Sequence, residues 1–323
     1  MKLFKTISVL ILVVLLITTV SGISACSDNS IKIYLPDGTP ALAVANIMDS
    51  NASFSSKKTT FTFVPADFVS AAFNDGADIA VMPTVVAAKL YSNGAKIKLL
   101  STNIFGNLFI MGVNNSATNL EGLKGKVVYT TIGTTISLFK YLLTENQIEF
   151  EEGSQSVQGK VTLNSYADAS SIIPMLKLAS TNKGEAYGVL GEPQVTKSKQ
   201  LITDINTVID FQAEWQHITD FEGYPQASIV ASDAFCKTNA NYISKLLTAL
   251  EGNLEFLNQN YSNLPDLFAR FDSNLKNMTF TADTITNCNI RFVNAQNIKS
   301  SVIDYITRLE ANTVINDNFF YSA

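Results

Sequence analysis

The chain has 323 residues, 46% hydrophobic and 16% charged, with a formal net charge of −5. That length fits about two lobes rather than one small core, and the composition can bury a large interior, which argues against disorder. The acidic balance and the lack of a basic tract argue against nucleic acid or an anionic membrane surface as partner. One histidine, His217, leaves little for a zinc site or a His-based triad, so we expect no metal and no cofactor.

The N-terminus reads as a targeting segment. Lys2 and Lys5 precede an uncharged run, "ISVLILVVLLITTV", which ends at Val20. The run is shorter than the roughly 20 residues that span a bilayer and suits a signal peptide over residues 1–25. "ISAC", Ile23 to Cys26, resembles a bacterial lipobox, in which the cysteine becomes the lipidated first residue. Acyl chains on Cys26 would anchor the body to the outer face of a membrane, with residues 26–30 as a tether.

Strands and helices then alternate. "IKIYL" predicts a strand and "PALAVANIMD" a helix; "TTFTFVP" a strand and "DFVSAAFNDG" a short helix stopped at Gly76. "ADIAVM" is an apolar strand, and "PTVVAAKLYSNG" a helix. "IKLLSTN" and "NLFIMGVN" are the next strands. After the polar stretch "NSATNLEGLKG" a second round begins. "KVVYTT" is a strand, and "TISLFKYLLTEN" a helix with Ile136, Phe139, Leu142 and Leu143 on one face. "VTLNSYA" and "EAYGVL" are strands; "ASSIIPMLKLAS", disturbed at Pro174, and "PQVTKSKQL" are helices. "PQASIVAS" is one more strand, and from about Asp233 the pattern turns mostly helical. This order predicts an α/β fold with a helical C-terminal part. Cys236 and Cys288 remain; an exported chain permits a disulfide between them, and two buried free thiols fit as well.

One joint recurs. Asp37, Gly38, Thr39 and Pro40 follow the first strand, Pro83 and Thr84 the third, Gly133, Thr134 and Thr135 follow "KVVYTT", and Gly191, Glu192 and Pro193 follow "EAYGVL". Each places cap-forming residues or proline where a strand's carboxyl end meets a helix start. Helix starts leave backbone N–H groups unpaired, and in open α/β sheets they gather where ligands bind. Facing lobes would line one cleft with them.

These stretches together resemble the substrate-binding lipoproteins of bacterial ABC importers, in the branch of nitrate-, sulfonate- and thiamine-precursor-type binders. The resemblance rests on "LPDGTPALAVA", "GADIAVMPTVVAAKLYSNG", "LEGLKGKVVYTT" and "AYGVLGEPQVTKS", in that order and spacing. It implies a two-lobed periplasmic-binding-protein-like fold of type II with a two-segment hinge. Lobe 1 would comprise residues 31–112 and 225–323, and lobe 2 residues 113–224. It implies a small-molecule ligand, a permease and an ATPase as partners, and a monomer. Carried onto this chain, the pattern places Asp37, Gly38, Thr39, Pro83 and Thr84 in the loops of the first lobe. Asn103 and Phe105 fall near the first crossover. Thr134 and Thr135 cap a helix of the second lobe, Glu192 lies in the "GEP" loop, and Tyr224 lies near the cleft mouth on the returning crossover.

The arginines Arg270, Arg291 and Arg308 all fall in the helical tail, away from the predicted cleft loops. With Asp37 and Glu192 in those loops, a neutral or cationic ligand is favoured over an oxyanion, and Phe105, Trp215 and Tyr224 could offer flat apolar faces. A nitrogen heterocycle is one such ligand. An exported enzyme on the same fold would have to rest on His217, alone in "EWQHITD", and the chain has no G-x-S-x-G elbow. A surface sensor or adhesin on this scaffold is the other alternative.

Overall fold

A computed structural model describes residues 30–50, 56–219 and 221–322. The expected signal peptide and Cys26 lie outside them. Two six-stranded sheets form the molecule. The first contains β1 (Ile31–Leu35), β2 (Thr59–Phe63), β3 (Ile79–Pro83), β4 (Ile97–Ile104), β11 (Ala227–Ser232) and β12 (Ile290–Asn294), in the order β12-β4-β11-β3-β1-β2. The second contains β5 (Leu108–Val113), β6 (Val127–Thr131), β7 (Phe150–Glu152), β8 (Val161–Tyr166), β9 (Ala186–Gly191) and β10 (Ile205–Asp210), in the order β10-β5-β9-β6-β8-β7. Each sheet has a parallel half and an antiparallel half. Its central strands are covered on both faces, so β5 is buried at every position and β3 at all but its last.

The helices follow the expected crossovers. α1 (Thr39–Leu42) and α2 (Ala45–Asp49) follow β1, where the sequence predicted one helix. The segment after β2 winds as a short 3₁₀ turn, Ala66–Ala71, rather than an α-helix. α3 (Thr84–Ser92) follows β3, and α4 (Thr134–Glu145) follows β6 with Ile136, Phe139, Leu142 and Leu143 buried together. α5 (Ile172–Thr181) starts early enough to put Pro174 in its first turn, where a missing N–H breaks no helical bond. α6 (Gln194–Leu201) follows β9, and α7 (Phe211–Ile218) follows β10.

The tail returns to the first sheet as α8 (Asp233–Thr238), α9 (Ala240–Glu251), α10 (Asn253–Asn260), α11 (Leu264–Ala269), α12 (Ala282–Asn287) and α13 (Ala295–Leu309). It also supplies the edge strand β12, which the helical pattern concealed. β5 pairs wholly within the second sheet, although the boundary at 112/113 leaves most of it with the first lobe. Cys236 and Cys288 are both buried and free. Among the described residues no helix is long and apolar enough to cross a membrane.

One apolar cluster runs through both lobes. Val302 and Tyr305 of α13 join Phe139 of α4 and Phe211 and Trp215 of α7. Separate clusters fill the other face of each sheet.

Candidate functional site

Two strands of chain join the lobes. The first crossover passes through Phe105, Gly106 and Asn107, between β4 and β5; the second runs from Phe221 to Gln226, ahead of β11. They interlock. The Gln226 amide donates to the Ile104 carbonyl at 2.9 Å, and the Asn107 amide donates to Gln226 Oε1 at 3.0 Å. Asn289, just ahead of β12, donates through Nδ2 to the Phe105 carbonyl at 2.7 Å and accepts the Phe105 amide at 3.1 Å. Glycine is required at the contact: Gly223 has φ +73°, and a Cβ there would lie 2.4 Å from the Phe105 carbonyl oxygen.

Beside the crossovers, between the two sheets, lies a cleft of about 610 Å³. From the first lobe it is lined by Asp37, Gly38, Thr39 and Pro83, and from the second by Thr134, Thr135 and Glu192, with Tyr224 on the returning crossover. Three residues expected there do not line it. Thr84 is buried, its hydroxyl within 2.8 Å of Ser228 Oγ. Asn103 is buried and accepts from Ser101 Oγ at 2.6 Å. The Phe105 ring packs under the Arg291 guanidinium, 4.0 Å away, so the ring serves the crossover and not the cleft.

The helix starts are less open than the sequence implied. At α1 the N-cap is Gly38, whose amide is taken by its neighbour Asp37 Oδ1 at 3.0 Å. At α3 the Thr84 amide donates to the Gln226 carbonyl at 3.0 Å. At α6 the Glu192 carboxylate accepts from the Thr196 amide at 3.1 Å and its hydroxyl at 3.2 Å. α4 differs: its N-cap is Gly133, no side chain caps it, and Thr134 and Thr135 are its first helical residues rather than caps.

The Asp37 carboxylate is held by the tail. It accepts from Ser273 Oγ at 2.6 Å and the Asn274 amide at 2.7 Å, tying the first loop to the tail. Thr39 reaches across instead. Its hydroxyl donates to the Glu192 carbonyl at 2.5 Å and accepts from Asn107 Nδ2 at 2.7 Å. Burial pushes the Glu192 carboxyl above its ordinary range, against the pull of hydrogen bonds from Thr196 and Asn287 and the charge of Lys199. A second bridge joins Thr196 to Thr284 of α12, hydroxyl to hydroxyl at 3.0 Å.

The inner end is aromatic. Tyr224 and Tyr305 line it with rings stacked at 5.9 Å, and Trp215 stands edge-on to both, at 5.8 and 5.4 Å. Trp215 itself is buried behind them. His217 is exposed on α7 and does not line the cleft. Among the described lining residues Lys89 is the one cation, and it is paired with Glu310 at 2.6 Å. Sequence reading missed Asn107, Gln226, Lys89, Tyr305 and Glu310. Asn107 lies four residues past Asn103 and could have been reached from the crossover motif. Tyr305 and Glu310 belong to α13 and its end, some 80 residues downstream of the second crossover, and no local signal marks them.

Compared with known proteins, the sequence matches no family model and no curated protein. Solved structures are similar in fold. An ABC transporter protein from Parabacteroides distasonis aligns with a TM-score of 0.74 at 21% identity, covering 91% of this chain and 99% of that one. The periplasmic aliphatic sulphonate binding protein SsuA from Escherichia coli aligns at 0.64 and 12% identity, covering 92% and 93%. A Candida albicans gene product described as having the generic periplasmic binding protein fold aligns at 0.56 and 11% identity, covering 90% and 93%. The two sheets, the paired crossovers and the cleft between them are therefore those of the periplasmic-binding-protein fold, in the two-lobed form that ABC-importer substrate-binding proteins share.

Proposed function

We propose that the chain is the extracytoplasmic solute-binding component of an ABC importer, held to the membrane by lipid on Cys26 and acting as a monomer. It captures a small organic nutrient between its lobes and delivers it to a permease driven by an ATPase. The observation that supports this most is a cleft lined by both lobes beside a double crossover. Such a hinge lets the lobes close by changes at a few backbone positions. A solute favours closure only if it touches both lobes, and the cleft is lined by Thr39 and Pro83 from one and by Thr134 and Glu192 from the other. The role is binding and release, with no bond made or broken in the solute.

The experiment has two parts. Native mass spectrometry of the full-length protein identifies the solute retained on purification, and thermal denaturation measures how much that solute stabilises the chain. Val86 of α3 lines the cleft from the first lobe as Thr134 of α4 does from the second, and Val86→Trp and Thr134→Trp each fill it. Both are expected to abolish stabilisation with the circular dichroism unchanged, and stabilisation surviving in both would place the site elsewhere. Loss of the gene should stop cellular uptake of the same solute; intact uptake beside intact binding would favour a sensor.

A further inference from the structure

We propose that the inner end of the cleft is a hydrogen-bonding subsite for an uncharged amide-type group, an N–H beside a C=O, on the solute. This rests on the cleft being the solute site and names the chemistry it selects.

Four buried atoms of lining residues have no partner among the described residues, Asn107 Oδ1, Gln194 Oε1 and the hydroxyls of Tyr224 and Tyr305, and the first and last define the subsite. Asn107 Nδ2 donates to Thr39 Oγ1 at 2.7 Å and to the Glu192 carbonyl at 3.2 Å. Both are acceptors toward it, because the Thr39 hydroxyl proton is already given to Glu192. The orientation of the side-chain amide is thereby fixed, and Oδ1 is left as an acceptor. That oxygen is buried and has no partner among the described residues. Gly191 lies beside it: a Cβ there would stand 3.2 Å from Oδ1 and crowd that oxygen. The second atom is the hydroxyl of Tyr305, fully buried, lining the cleft and also unpaired. Tyr224 connects the two, stacked on Tyr305 and pressed against Gly106, the neighbour of Asn107. Buried polar atoms are nearly always paired, and an unpaired one is destabilising. An acceptor and a donor among the lining residues complement the N–H and the C=O that an amide or lactam carries.

Charge narrows the class. The described lining carries Asp37, Asp168, Glu192 and Glu310 against Lys89 alone, so an anion finds no free cation. The carboxylates are themselves engaged: Asp37 by Ser273 and Asn274, Asp168 by Ser170, Glu192 by Thr196, and Glu310 by Lys89. Each carboxylate thus already accepts from a neighbour, and a cation has to compete with those partners.

The test is thermal denaturation of the full-length protein with uracil and nicotinamide as neutral amides, choline as a cation and methanesulfonate as an anion. The amides are expected to stabilise it and the two ions are not. Tyr305→Phe keeps the packing and removes an unpaired hydroxyl, so the unliganded protein should be as stable or more so. The same variant should bind the amides about three- to tenfold more weakly, as loss of one hydrogen bond predicts. Gly191→Ala, which crowds Oδ1, should weaken them as well. Failure of both amides to stabilise, or equal affinity in both variants, overturns the proposal. Stabilisation by choline or methanesulfonate alone overturns it too, while leaving the cleft as the solute site. Amide binding that survives Val86→Trp and Thr134→Trp would instead remove the cleft reading itself.

Discussion

The Glu192 carboxylate accepts from the Thr196 amide and hydroxyl and so holds the first turn of α6, while its carbonyl accepts from the Thr39 hydroxyl and from Asn107 Nδ2. Its position in the gap is thus also a structural one. Burial raises its folded pKa above the reference value of 4.5. The folded state then holds the proton more tightly than the unfolded chain. The stability from this group is fully present below the unfolded value and is lost as pH rises through the folded one. Glu192→Gln should remove that slope, seen by thermal denaturation of both proteins from about pH 4 to about pH 8. Identical pH profiles would show that Glu192 does not titrate with folding. The polar chemistry at Thr39, Thr134 and Glu192 was legible because the residue types that begin helices announce themselves in sequence. Thr84 and Asn103 have the same polar character, but tertiary or neighbouring partners, Ser228 and Ser101, absorb their side chains. Composition does not separate a buried threonine that pairs with a serine from one that lines the cleft.

Among the elements, the crossovers are the least tolerant. Gly223 combines a left-handed backbone with a close approach to a carbonyl oxygen, which no flexible side chain can relieve. Gly223→Ala should therefore destabilise the protein by about 2–4 kcal/mol, measured by urea denaturation. A change within about 0.5 kcal/mol would mean the two crossovers can separate freely. Most elements could be read in advance, since β3 and β5 are continuous apolar runs and α4 keeps a helical stripe. β12 could not: five residues between two helices carry no period long enough to outweigh their flanks, and pairing with β4 decides their state. β10 is similar. It alternates weakly, is exposed at Asn206 and Thr207, and is held by β5 through a register shift.

At the scale of the whole molecule, α13 is an element that touches both lobes. It packs on the first sheet, yet Arg308 donates to the Tyr141 hydroxyl of α4 at 2.7 Å, and Tyr305 meets Trp215 of α7. Sequence order alone could not reveal this, because the Arg308–Tyr141 contact joins residues 167 positions apart. Trp215 is the sole tryptophan of the chain and is 1% exposed, wedged among Tyr141, Tyr224 and Tyr305. Its surroundings come from both lobes and from the crossover between them, and the Tyr305 ring would shift relative to the indole if the lobes turned. The protein therefore contains its own optical gauge. Its emission at rest should be blue, and solute titration should change intensity or wavelength along a single saturation curve that needs no attached dye. A solute seen bound by mass spectrometry that leaves this light unaltered would mean capture proceeds with the two halves standing still.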